Sequence, residues 1–152
     1  MRRDWFAHLQ GRWTFELRLT GNTGNPDVIG DEKIWAIGDN FLAVENTGNG
    51  AEGASHTIMI LGKGSSPLAV TGSYAGTLAP VIFYMGGQVE DDGACIVLET
   101  ENTVLSGNKI VERYRIIITD HDTRELAAEV WLDGHWNEFM RYHYHRAEPR
   151  NS

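Results

Sequence analysis

A two-residue hydrophobic period, recurring in short segments, is the feature that most constrains this chain. Trp13, Phe15, Leu17 and Leu19 stand at every second position, with Arg12, Thr14, Glu16, Arg18 and Thr20 between them. A strand sends successive side chains to opposite faces, so this segment reads as a strand with one dry and one wet side. Further candidate strands follow at 28–36, 41–46, 56–63, 68–74, 81–89, 95–100, 109–119, 124–132 and 135–145. The breaks between them are turn chemistry, among them Gly21-Asn22-Thr23-Gly24-Asn25-Pro26, Gly48-Asn49-Gly50, Asp91-Asp92-Gly93, Ser106-Gly107-Asn108 and Asp120–Thr123. Asp133-Gly134, between Leu132 and His135, is a strong two-residue hairpin signal. Many short strands at regular spacing predict a sandwich or a barrel, and consecutive hairpins favour an up-and-down meander that removes its edges by closing. The expected fold class is all-β: one antiparallel barrel of about ten strands.

One helix is expected, within residues 1–10. Asp4 caps it, Trp5, Phe6 and Leu9 form its apolar side, and Gly11 ends it. It is too short to persist alone and therefore lies across one end of the barrel, where Trp13 fills the closed end. The chain of 152 residues reads as one domain over 1–152, with a disordered tail over 147–152. There is no internal repeat.

Composition narrows the functional classes. Thirteen Lys and Arg against 21 Asp and Glu give a net charge of −8, which argues against binding nucleic acid through its phosphates. The single cysteine, Cys95, permits no intrachain disulfide and reads as a buried small hydrophobe, consistent with a reducing compartment. No apolar run is long enough to span a bilayer as a helix, and the first residues lack the apolar stretch of a signal peptide. A cytoplasmic protein with no membrane partner is the expectation.

Several motifs together resemble a known family. Leu9-x-Gly11-x-Trp13-Thr14, Ile37-Gly38 before Phe41, Ile58-Met59-Ile60-Leu61-Gly62, Tyr114-Arg115, and Glu138-Phe139-Met140 followed by Tyr144-x-Arg146 resemble, in order and spacing, a bacterial family catalogued as a domain of unknown function. The resemblance covers nearly the whole chain and implies a lipocalin-like, calycin-type barrel. It implies no biochemical role. Where family members often carry an aromatic after the Gly62 position, this chain has Lys63; where they tend to carry Trp near Ser73, the nearest aromatic is Tyr74. The resemblance thus implies a pocket different from that of its relatives.

The last strand is the richest in chemistry. Trp136, Glu138, Met140, Tyr142 and Tyr144 share one parity; His135, Asn137, Phe139, Arg141, His143 and His145 share the other. The first set is the more apolar and is placed inward. In 109–119, Tyr114 is placed inward, while Arg113 and Arg115 are placed outward, within reach of Glu125 or Glu129 as cross-strand pairs. Glu112 and Glu138 are expected at the open rim. His143-x-His145 has metal-ligand spacing, but no third ligand is evident and no metal site is assigned. Arg141-x-His143 loosely resembles the Arg-x-Tyr of fatty-acid-binding proteins, and would hold a carboxylate if the opposite face pointed inward. Asp120-His121-Asp122 falls in a turn and is not assigned a catalytic role. His56 follows a glycine-rich loop and is placed at the barrel mouth.

The expected function is binding of a small, mostly apolar molecule in an internal cavity. The candidate ligand-binding residues are Tyr114, Trp136, Met140, Tyr142, Tyr144, His56 and Tyr84. For want of an inward arginine, the ligand is expected to be neutral rather than anionic. No cofactor and no catalytic residue is assigned. The alternatives are an enzyme using His56 or a tyrosine as acid or base, a haem-binding barrel with His56 as iron ligand, and a structural protein with a filled core. A homodimer is compatible with all of these.

Overall fold

The computed structural model describes residues 4–77, 79–103 and 109–147. Ten strands form: β1 (Gly11–Leu19), β2 (Val28–Ile37), β3 (Phe41–Gly50), β4 (Gly53–Lys63), β5 (Ala69–Gly76), β6 (Ala79–Glu90), β7 (Cys95–Thr103), β8 (Lys109–Ile118), β9 (Thr123–Leu132) and β10 (His135–Arg146). Each pairs antiparallel with the next, and β10 closes on β1 to complete the barrel. The all-β meander is therefore the fold. The predicted Ser106-Gly107-Asn108 turn and most of the predicted tail lie outside the described residues. Among the described residues, no helix is long and apolar enough to cross a membrane.

The helix α1 (Trp5–Leu9) stands where the sequence places it. Asp4 accepts from the Ala7 backbone N–H at 3.1 Å, the ordinary N-cap contact. Trp5 and Leu9 are buried, and the Trp13 Nε1–H donates to the Leu9 carbonyl at 3.0 Å. Trp13 is 1% exposed, so a bulky ring and its one polar atom are both satisfied at this end. Arg146 fastens the helix to β10, donating to the His8 carbonyl at 3.0 Å and the Gln10 carbonyl at 2.9 Å. Lys63, which stands where an aromatic was expected, sets its ammonium 4.2 Å from the Phe6 ring centroid and so lies with the helix, not in the interior. Leu42, Leu61, Val70, Ile96 and Ile118 belong to the same buried core. Cys95 is buried, as expected.

The Asp133-Gly134 turn has φ of 53° and 81°, the doubly positive geometry of a tight hairpin. One predicted break is different. Gly48-Asn49-Gly50 is not a loop: β3 runs on to Gly50, where it pairs with Gly53 of β4. The glycines there serve packing. A Cβ on Gly48 would lie 2.7 Å from Val28 Cγ1, and one on Gly30 would lie 2.6 Å from the Phe15 ring and 2.0 Å from the Thr47 carbonyl. The Phe15 ring thus presses directly on the β2–β3 backbone, which only glycine allows.

Candidate functional site

A cavity of about 310 Å³ lies among the inward faces of every strand except β1. Its wall is mostly apolar, with Val44, Met59, Met85, Leu98, Ile116 and Leu126 prominent. Phe15 of β1 stands behind it, with its ring centroid 5.3 Å from Tyr142 and 5.6 Å from Tyr144.

Of the seven residues singled out from the sequence, four line this cavity: Tyr114, Met140, Tyr142 and Tyr144. Three do not. Trp136 shares sequence parity with the tyrosines, but Phe139 is a β-bulge, since the pairing steps from Glu138↔Glu129 directly to Met140↔Ala128. One extra residue reverses the faces. Trp136 therefore lies outside, edge-to-face with Trp131 at 5.3 Å and 4.3 Å from the Arg113 guanidinium. Glu138 is turned outward by the same bulge, away from the expected rim position, and pairs with Arg141 at 2.6 Å. Tyr84 alternates with the inward Phe83 and Met85 and is 73% exposed. His56 is not at a strand opening, because β4 begins at Gly53; it faces solvent and contacts Glu45 at 3.1 Å.

Arg141 also reaches Glu125 at 2.9 Å, and His143 contacts Glu125 at 3.0 Å, so this parity of β10 belongs to the outer surface. Arg113 and Arg115 face outward as expected and converge on Glu129 at 3.0 and 2.7 Å. Asp120 Oδ1 accepts from the Asp122 and Thr123 backbone N–H groups at 2.8 and 2.9 Å, an ordinary turn. Among the described residues, no three His, Cys, Asp or Glu side chains are grouped to hold a metal.

The expectation that no arginine faces inward is wrong. Arg124, 3% exposed, reaches from β9 beneath Tyr144 and Trp13 to form an ion pair with Glu32 of β2. Its guanidinium lies 3.7 Å from the Tyr144 ring centroid and 4.7 Å from that of Trp13. Burial pushes the Arg124 pKa down to about 10, still high enough to keep the charge at neutral pH. Asn46 donates to the other Glu32 oxygen at 3.3 Å, and both Glu32 and Asn46 line the cavity. Glu32 and Arg124 are 92 residues apart, and nothing in the alternation links them.

A second polar group lies farther along the wall. The Tyr114 hydroxyl donates to Glu112 and stands 3.4 Å from the Tyr74 hydroxyl, with Tyr74 stacked on Phe83 at 4.7 Å. Burial, and then the bond to Glu112, holds the Tyr114 pKa far above the ordinary phenol value. Tyr142, stacked on Tyr144, has its pKa pushed up to about 12 by burial, and its hydroxyl has no hydrogen-bond partner among the described residues. These phenols stay protonated at neutral pH and are hydrogen-bond donors there, not bases. Tyr74 was noted in the sequence only as a departure from the family pattern. Met59, Phe83 and Met85 were not assigned to the cavity; each shares a strand with the assigned period and was legible once its inward parity was known.

The family model described as "Protein of unknown function (DUF1579)" matches residues 1–146. The chain belongs to this family. The resemblance read from its motifs is thereby borne out. No curated protein matches this DUF1579 member in sequence. Among solved structures it is similar to Rv2717c from M. tuberculosis, at 16% identity over 97% of this chain and 100% of that one, with a TM-score of 0.66. It is also similar to the S-type phycobiliprotein lyase CPES from Guillardia theta, at 14% identity over 99% of this chain and 95% of that one, with a TM-score of 0.55. At these identities the likeness is one of fold: the DUF1579 chain shares its barrel fold with both.

Proposed function

We propose that this barrel binds a small, mostly apolar molecule in its interior. The observation that carries this reading is the cavity of about 310 Å³, apolar along most of its wall, with Tyr142 in its lining and no hydrogen-bond partner for the Tyr142 hydroxyl among the described residues. Its volume lies at the lower end of the roughly 300–1,000 Å³ common for small-molecule sites. The Tyr142 hydroxyl is thus available to bond a polar group of the ligand, a contact worth about 0.5–1.5 kcal/mol net. The Glu32–Arg124 pair adds no net charge to the cavity, so a neutral ligand is favoured on different grounds from those read in the sequence. A phycobiliprotein lyase has the same fold, which supports a barrel that engages another molecule.

The test is a titration with 2-naphthol, followed by quenching of tryptophan fluorescence. Saturable one-to-one binding is expected. Tyr142→Phe should weaken it by about 0.5–1.5 kcal/mol where the hydroxyl meets a neutral ligand group, with the fold unchanged. Met59→Trp, which adds bulk to the cavity wall, should abolish it. Absent binding, or binding indifferent to Met59→Trp, overturns the reading.

A further inference from the structure

We infer that the Glu32 carboxylate is the anchor point of the cavity and selects a ligand with a neutral hydrogen-bond donor, a hydroxyl or N–H, at the end of an apolar body. The inference rests on the cavity reading above and deepens it.

The argument starts from the cost of the ion pair. Charges taken into a low-dielectric interior lose several kcal/mol of hydration each, and their attraction offsets this only when the remaining hydrogen-bonding capacity is also met. Here it is not met. An ionised carboxylate offers about four acceptor positions. Glu32 uses one on Arg124 and one on Asn46. Arg124 Nε is buried and lacks a hydrogen-bond partner among the described residues. The pair is therefore less than fully satisfied by protein, and Glu32 is the member that lines the cavity.

The surroundings sharpen the choice of ligand. Val44, Met59, Leu98 and Leu126 are among the apolar residues of the same cavity. A donor seated there meets a charged acceptor in a dry setting, where such bonds are strong and an unmade bond is costly. A carboxylate ligand would face Glu32 directly. Arg124 is no counter-anchor for it, because its guanidinium is committed to Glu32 and held against Tyr144 and Trp13. The Asn46 amide, held toward Glu32, fixes the carboxylate orientation from the opposite oxygen.

Four probes of one shape separate the possibilities: 2-naphthol, 2-methoxynaphthalene, naphthalene and 2-naphthoate. Affinity for the native chain is expected to be about tenfold or more higher for 2-naphthol than for 2-methoxynaphthalene, as a bond to a charged acceptor supplies. Naphthoate should bind weakest. In Glu32→Met/Arg124→Met, an exchange of ion pair for apolar volume that folds generally tolerate, the preference should fall to about twofold or less while naphthalene still binds. Glu32→Gln is the companion variant, keeping the shape, and should reduce the preference without abolishing naphthalene binding. Equal affinities for 2-naphthol and 2-methoxynaphthalene, or a preference that survives in the double variant, overturn the inference and leave the cavity reading standing. Tightest binding of naphthoate overturns it in favour of Arg124. Failure of all four probes to bind overturns the cavity reading and this inference together.

Discussion

At the residue scale, Trp13 and Tyr142 show how single side chains are committed by their surroundings. Trp13 is enclosed by the helix end, bonded to Leu9 and touched by the guanidiniums of Arg124 and Arg146 at 4.7 and 4.2 Å. Trp13→Ala should cost about 3–5 kcal/mol in urea unfolding, as large-to-small changes in a packed core do. A loss under about 1 kcal/mol would mean the ring is not packed as described. Tyr142 is neutral in the folded state up to about pH 12, whereas the unfolded phenol ionises near the ordinary phenol value of 10.0. A raised folded pKa contributes stability that is present below the unfolded value and is lost as pH climbs through the folded one. The melting temperature should therefore fall between about pH 10 and pH 12, and less steeply in Tyr142→Phe. A variant with the same alkaline slope as the native chain would assign that loss to other groups.

At the element scale, irregularities decide what each strand presents. The bulge at Phe139 splits β10 into a part that turns Trp136 and Glu138 outward and a part that turns Met140, Tyr142 and Tyr144 inward. In β2, the apolar Ile29, Trp35 and Ile37 are exposed while Glu32 and Ile34 are buried, because β1 pairs Trp13 with Glu32 and Gly11 with Ile34. Gly30 keeps the β1–β2–β3 contact tight, so Gly30→Ala would drive a Cβ into backbone at 2.0 Å and should cost at least about 1–3 kcal/mol. Gly86 has open space around the same hypothetical atom, so Gly86→Ala should stay within about 0.5 kcal/mol. Comparing the urea midpoints of the two variants tests the packing. Equal midpoints would show that Gly30 is not held against the Thr47 carbonyl and the Phe15 ring as described.

At the scale of the whole molecule, closure is the decisive event. Nine of the strand pairings join sequence neighbours, and the tenth brings Trp13 opposite Arg146. Arg124 and Glu32 bridge that seam from β9 to β2, across β10 and β1. Arg124→Met leaves a buried carboxylate without its cation and should cost about 3–5 kcal/mol, whereas Glu32→Met/Arg124→Met should recover most of that loss. Denaturant unfolding of the two single variants and the double closes the cycle. Additive losses would mean that the two side chains do not act on one another.

Most of the fold was legible in the sequence. Strand periodicity, the capped start at Asp4, the Asp133-Gly134 turn and the closed end around Trp13 all depend on local sterics and on burial of one face, and residues within a few positions of each other determine them. The inward tyrosines followed from the same rule as long as the period was unbroken. Trp136 was misplaced because a bulge reverses the faces, and His56 and Tyr84 because the choice of face or strand start depends on neighbouring strands. The Glu32–Arg124 pair was out of reach for a further reason: the two residues meet only after ten strands have closed, and a charge at an inward position is tolerated only when its distant counter-charge arrives there too. Local physics determined the strands; long-range register determined what the cavity contains.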